Sequence, residues 1–158
     1  MESSPKAIFK DLQPNIADAI KESCSTSDAI VLKIVDEVNR IKTVGVEPGV
    51  EIAQGLSMII NTTIKSSVRL GCDLSVIAQG IMIGAFRSRL IQLEAHKTIR
   101  LLVREIIGAV SNCKGDLKKT VDGLLAGITV IAREHKLNEQ EALVVAKEDI
   151  QETLSNQE

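Results

Sequence analysis

The chain has 158 residues, of which 44% are hydrophobic and 25% are charged, and its formal net charge is -2. This length suits a single domain with one sizeable core, and the composition excludes a disordered or a fibrous chain. The nearly balanced charge also excludes a global attraction to nucleic acid or to anionic membranes, so any such binding has to be local.

Aromatic residues are almost absent from the sequence. There is no Trp, no Tyr and only two Phe, so Ile, Val, Leu, Ala and Met have to fill the core. Proteins that bind single-stranded nucleic acid stack bases on aromatic rings, and cages for quaternary ammonium ions are built from them. Both kinds of site are therefore disfavoured.

No stretch of the sequence has the features of a signal peptide or of a membrane span. The N-terminus lacks a basic segment followed by an apolar run, and no later run reaches about 18 uninterrupted apolar residues. The three cysteines are odd in number and widely spaced, which is typical of reduced thiols. We expect a cytoplasmic protein without a transmembrane segment.

The apolar residues recur at helical spacing and predict an all-α fold, a single bundle of about seven helices. The first predicted helix covers 4–23, and Ser25 and Ser27 can cap a second that carries Ile30 and Ile34. A third helix follows the loop 45–49 and ends at Gly71.

The second part of the chain has equally clear helix ends. Asp73 is predicted to cap a fourth helix, and a fifth covers about 98–110. No Gly or Pro separates these two helices, so the sequence leaves open whether they are continuous. A sixth helix begins near Asp116, and a seventh begins at Asn138, which has Glu141 three residues later as in a capping box.

Two similar halves are predicted within this single domain of residues 1–158. Half one covers 25–93 and half two covers 95–155, after the N-terminal helix. An offset of 68 residues aligns Gly55 with Gly123, Leu56 with Leu124 and Val76 with Val144, among other identical pairs. A real duplication would relate the two halves by a pseudo-twofold operation.

Gly80 and Gly84 lie one helical turn apart and can let another helix approach closely. That helix could belong to the same chain or to a second copy in an oligomer. No phosphate-binding glycine motif is present, so we predict a helix-packing role for the pair.

A cluster of cations in the middle of the chain is the most suggestive surface. If residues 87–104 form one helix, five residues fall within a sector of about 100 degrees. This predicted basic edge consists of Arg89, His96, Lys97, Arg100 and Arg104. It could bind an anion or an acidic partner, or its charges could pair with acids of the same chain, where residues 139–158 carry six acids and one Lys.

The sequence predicts no catalytic centre, no metal site and no cofactor. His96 and His135 lack the spacing of metal-binding helices, and no Ser lies in a nucleophile motif. The acids Asp36, Glu37, Glu105 and Asp122 are expected on exposed helix faces, as is Glu51.

Three classes of function remain after these exclusions. The leading hypothesis is a non-enzymatic helical interaction or scaffold protein that forms a homo-oligomer, in particular a dimer, and binds a partner protein. One alternative is a binder of polyanions through the basic edge, either nucleic acid or an acidic surface, with nucleic acid the less favoured of the two. Another is a carrier of apolar ligands, suggested by the small residues of 78–85.

Overall fold

The computed structural model describes residues 30–37, 50–88 and 94–157. The described residues are all-helical and contain six helices. They are α1 (residues 30–37), α2 (Val50–Leu70), α3 (Leu74–Ser88), α4 (Ala95–Asn112), α5 (Leu117–Glu134) and α6 (Glu139–Ser155). The helix predicted for 4–23 lies outside the described residues, and so does the loop predicted for 45–49.

Short turns with regular capping interactions join α2 to α3 and α5 to α6. Gly71 follows α2 with a φ of 71°, which a residue without a Cβ adopts easily, so the predicted end is confirmed. The Asp73 carboxylate accepts a hydrogen bond of 2.9 Å from the backbone N–H of Ser75, and the Asn138 side chain accepts one of 3.1 Å from that of Glu141. Both predicted caps are therefore confirmed.

α3 and α4 are separate helices. α3 ends at Ser88, and Glu94 precedes α4 with φ -52° and ψ 143°, an extended conformation. The predicted basic edge depended on a single helix over 87–104, and that assumption is therefore wrong. The sequence contains no Gly or Pro at this break, which is why helix-stop signals could not locate it.

α3 lies at the centre of the bundle and is buried along most of its length. It packs most extensively against α5, which runs parallel to it. Gly123 of α5 lies against Ser75 near the start of α3, and Glu134 at the end of α5 pairs with Arg87. The two helices that approach each other most closely are thus not neighbours in sequence.

The close approach of α3 and α5 depends on small residues of α5. A Cβ atom at Gly123 would lie 2.8 Å from the backbone carbonyl carbon of Ser75, and closer still to its oxygen. One turn later, a Cβ at Gly127 would lie 3.0 Å from the Cβ of Met82. The absence of side chains at these two positions lets the two backbones come together.

α2 and α6 both pack on α4 and complete the core. The buried core is aliphatic, as the composition predicts, and the only aromatic side chain in it is Phe86 among the described residues. The buried hydroxyl groups are satisfied locally, because Thr63 and Ser67 each donate a hydrogen bond to the carbonyl four residues earlier. None of the described helices is long and apolar enough to cross a membrane.

The internal duplication stays a prediction. Leu56 and Leu124 are both buried, as an offset of 68 requires, but Val76 is half-buried whereas Val144 is exposed. The caps Asp73 and Asn138 are 65 residues apart, so the last helices of the two halves differ from that offset by three residues. The offset of 68 does not hold for α3 and α6.

Candidate functional site

The predicted glycine pair lies inside the bundle. Gly80 and Gly84 are both buried. A Cβ at Gly84 would lie 2.8 Å from the Cβ of Ile34 and 3.1 Å from the carbonyl oxygen of Val31, so α1 crosses α3 at this point. Gly84 therefore contacts a helix of its own chain. The small residues at 78 and 85, which suggested an apolar-ligand carrier, are buried as well.

The members of the predicted basic edge have different environments. Arg89 lies outside the described residues, and His96 is half-buried near the start of α4. Lys97 and Arg100 are exposed, and no ion pair forms at either within the described part of the chain. The fifth member, Arg104, has a partner.

Arg104 joins α4 to α6 through a pair of hydrogen bonds. Its Nη2 lies 3.0 Å from Oδ1 of Asp149, and its Nε lies 3.2 Å from Oδ2. The carboxylate is buried, with 3% of the side chain exposed, whereas 57% of the arginine side chain is exposed. These bonds, together with the charges of Asp149 and Glu152, raise the pKa of Arg104 above its usual value. One guanidinium thus neutralises a buried carboxylate where the two helices meet.

We call the line along which α4 and α6 pack the α4–α6 seam. On the α4 side, rotations of about 100 degrees per residue place Lys97, Arg100 and Arg104 within about 60 degrees of one another. We call these three residues the basic stripe. Gly108 continues its direction, and a Cβ there would have no other atom within 4 Å, so this face of α4 is open.

The α6 side of the seam carries acids. Glu141, Glu148 and Glu152 are exposed, and helical rotation places them within about 40 degrees of one another. We call them the acidic stripe. It lies next to the seam because Glu148 and Glu152 are one residue before and three residues after Asp149, which bonds to Arg104. In the described part of the chain, none of the three carboxylates forms an ion pair.

Sequence reasoning recognised the acidic excess of residues 139–158 but not the acidic stripe. Its spacing of seven and four residues is visible in the sequence and is typical of one helix face. What the sequence does not contain is the position of this face relative to α4, because that depends on tertiary packing.

Two acids that were expected on exposed faces are instead enclosed. Glu37 is buried, and its Oε1 lies 2.9 Å from Nζ of Lys33 one turn earlier. Glu105 is half-buried and accepts a hydrogen bond of 2.9 Å from Oγ of Ser57, which links α4 to α2. These expectations were wrong because a polar partner compensates each carboxylate for the loss of water. Asp36 and Asp122 are exposed as expected, whereas the side chain of Glu51 lies outside the described residues.

His135 is half-buried in the turn between α5 and α6. Its ring packs on Phe86, with 5.5 Å between the ring centroids. Its Nε2 atom is buried and has no hydrogen-bond partner among the described residues. Nearby, the Arg87 guanidinium donates hydrogen bonds to the Glu134 carboxylate, and these bonds lower the pKa of that carboxyl group. These four residues lie together where α3 and α5 end.

The described residues bring together no cluster of side chains that indicates a metal site. No group of three His, Cys, Asp or Glu side chains is placed to hold a metal ion in the ranges that the structure covers. Cys72 and Cys113 are both half-buried against the core. Cys24 lies outside those ranges.

Three large apolar side chains are exposed among the described residues: Leu32, Leu70 and Val144. Leu32 is the most exposed, at 67%, but α1 is flanked in sequence by residues outside the described ranges. Val144 is 54% exposed and lies on α6, which is described along its whole length. Helical rotation places it beside Glu148, at the outer margin of the acidic stripe.

No family model matches the chain, and no curated protein matches it.

Proposed function

We propose that this protein is a helical interaction module that associates with itself and presents helix faces to a partner protein. The observation that carries the proposal is the exposed Val144 on the outward face of α6. An isolated exposed apolar side chain is common on protein surfaces. The acidic stripe beside Val144 occupies the place of a polar rim, because an interface has an apolar centre and a polar, solvent-accessible rim.

A contact of this kind would be modest in strength. Burying a valine side chain completely contributes about 1.5–3 kcal/mol. Since Val144 is already partly covered by its own chain, its contribution at an interface would be about 1 kcal/mol, or about a fivefold change in dissociation constant. The proposed association is therefore reversible and depends on concentration.

Sedimentation velocity over a range of protein concentrations tests the proposal. The wild-type chain, whose mass is 17.1 kDa, is expected to approach twice that mass as its concentration rises. The variant Val144→Gln is expected to dissociate about fivefold more readily.

The variant Leu70→Gln is the matched control, because Leu70 is also exposed but lies at the end of α2. It should associate as the wild type does. A wild-type chain that stays monomeric at every concentration would contradict the proposal.

A further inference from the structure

The α4–α6 seam presents two rows of opposite charge on one side of the molecule. The basic stripe lies on α4 and the acidic stripe lies on α6, and the bonds between Arg104 and Asp149 cross the line between them. Both stripes consist of exposed side chains. One surface thus carries cations along one edge and carboxylates along the other.

Most charged side chains of the two stripes form no ion pair within the described part of the chain. Arg104 is paired, but Lys97, Arg100 and the three carboxylates form no ion pair within 4.0 Å there. Exposed charges often lack partners, so this alone would have no meaning. The informative feature is that two rows of opposite charge lie side by side, since such a surface is complementary to itself after a twofold rotation.

We propose that the α4–α6 seam is the surface on which a second copy of this chain docks. A twofold axis near Arg104 would place the basic stripe of each copy on the acidic stripe of the other. This inference rests on the proposed self-association and specifies its surface. Gly108 favours it, because its open position lets a neighbouring helix approach α4.

A second copy fits this surface better than a polyanion does. A nucleic acid that bound the basic stripe would also come close to the acidic stripe, and like-charge contacts oppose binding. A second copy meets both stripes with the opposite sign. The surface therefore selects for partners that carry both charges in the same arrangement.

Charge reversal with complementation tests the inference. One variant carries Lys97→Glu and Arg100→Glu, and the other carries Glu148→Lys and Glu152→Lys. Arg104 is left unchanged, because it neutralises the buried Asp149. Each variant alone is expected to associate at least about tenfold more weakly than the wild type, since two rows of like charge would face each other.

An equimolar mixture of the two variants should restore association, because the reversed positions of each variant then face charges of the opposite sign on the other. A single chain with all four substitutions should also restore it. Wild-type association should weaken as salt is raised, since exposed charges are screened. Sedimentation velocity measures all of these results, and far-UV circular dichroism establishes that each variant is folded. If a reversal variant does not fold, Lys97→Gln with Arg100→Gln replaces it and is expected to weaken association less.

The outcomes separate the inference from the proposed function. If the wild-type chain associates and both reversal variants associate equally well, the seam is not the interface, although the proposed self-association still holds. A wild-type chain that never associates would overturn both. Heparin provides the test for a polyanion. If the wild-type monomer binds heparin and Lys97→Glu with Arg100→Glu abolishes this binding, the basic stripe is a polyanion site and the seam interface is overturned.

Discussion

Gly123 lies where the fold leaves no room for a side chain. A methyl group there would collide with the Ser75 backbone, which cannot rotate away as a side chain could. We expect Gly123→Ala to destabilise the protein by about 1–3 kcal/mol or more, because α3 and α5 would have to move apart. Thermal unfolding followed by far-UV circular dichroism measures the loss.

Gly108→Ala is the matched control for this prediction. It is the same substitution in another helix interior, but it meets open space. It should raise stability by up to about 1 kcal/mol, because alanine favours the helix more than glycine does. If both variants lowered the melting temperature equally, helix propensity and not packing would have to explain the result at Gly123.

The sequence could identify residues by their local chemistry but not by their environment. Gly71, Asp73 and Asn138 were predictable because a helix end requires a particular backbone conformation or acceptor within a few positions. The burial of Glu37 was not predictable from its position, because it depends on Lys33 and on how tightly α1 packs. For Arg104, pairing with the acids of residues 139–158 was one of the predicted alternatives, but the sequence could not identify Asp149, 45 positions away, as the partner.

At the level of helices, α6 is attached to α4 by the bonds between Arg104 and Asp149. Arg104→Ala would leave a buried carboxylate without its guanidinium, and breaking a buried pair in this way destabilises a fold. We expect a lower melting temperature, whereas Arg100→Ala should leave it nearly unchanged because Arg100 is exposed and unpaired among the described residues.

Adding Asp149→Asn in the Arg104→Ala background should recover part of the loss, because an uncharged amide is easier to bury than a carboxylate. A double-mutant cycle over these two positions measures the coupling directly. Additive effects would mean that the pair contributes nothing beyond its separate side chains.

The helices themselves were largely predictable, whereas their arrangement was not. Apolar periodicity identified the segments that become α1 to α6, and the composition correctly predicted an aliphatic core. The parallel contact of α3 with α5 could not be derived, because Gly123 looks the same in sequence whether it faces solvent or a backbone. The break at Glu94 carries no local signal either.

For the whole molecule, two carboxyl groups connect stability to pH. Hydrogen bonds from Ser75 lower the pKa of Asp73 at one end of the α3–α5 contact, and bonds from Arg87 lower the pKa of Glu134 at the other. A carboxyl group whose pKa is lower in the folded state stabilises the fold at neutral pH. That contribution is lost as the pH falls from the unfolded pKa through the folded one.

We therefore expect the melting temperature to decrease as the pH is lowered below about 5. The double variant Asp73→Asn with Glu134→Gln should be less stable than the wild type at neutral pH, and the difference should shrink in acid. Both residues lie at the surface, where solvent screens their charges, so the effect of each is small. A difference that stays constant over this range would show that neither carboxylate charge contributes.

The parallel contact of α3 with α5 also has a consequence during synthesis on the ribosome. Arg87 and Glu134, which close one end of that contact, are 47 positions apart. At about 5–20 residues per second, roughly 2–10 s pass between the appearance of an α3 residue and that of its partner on α5. During this interval α5 does not yet exist, so the nascent chain exposes the side of α3 that α5 will later cover, and α3 is the most apolar of the helices α2 to α6.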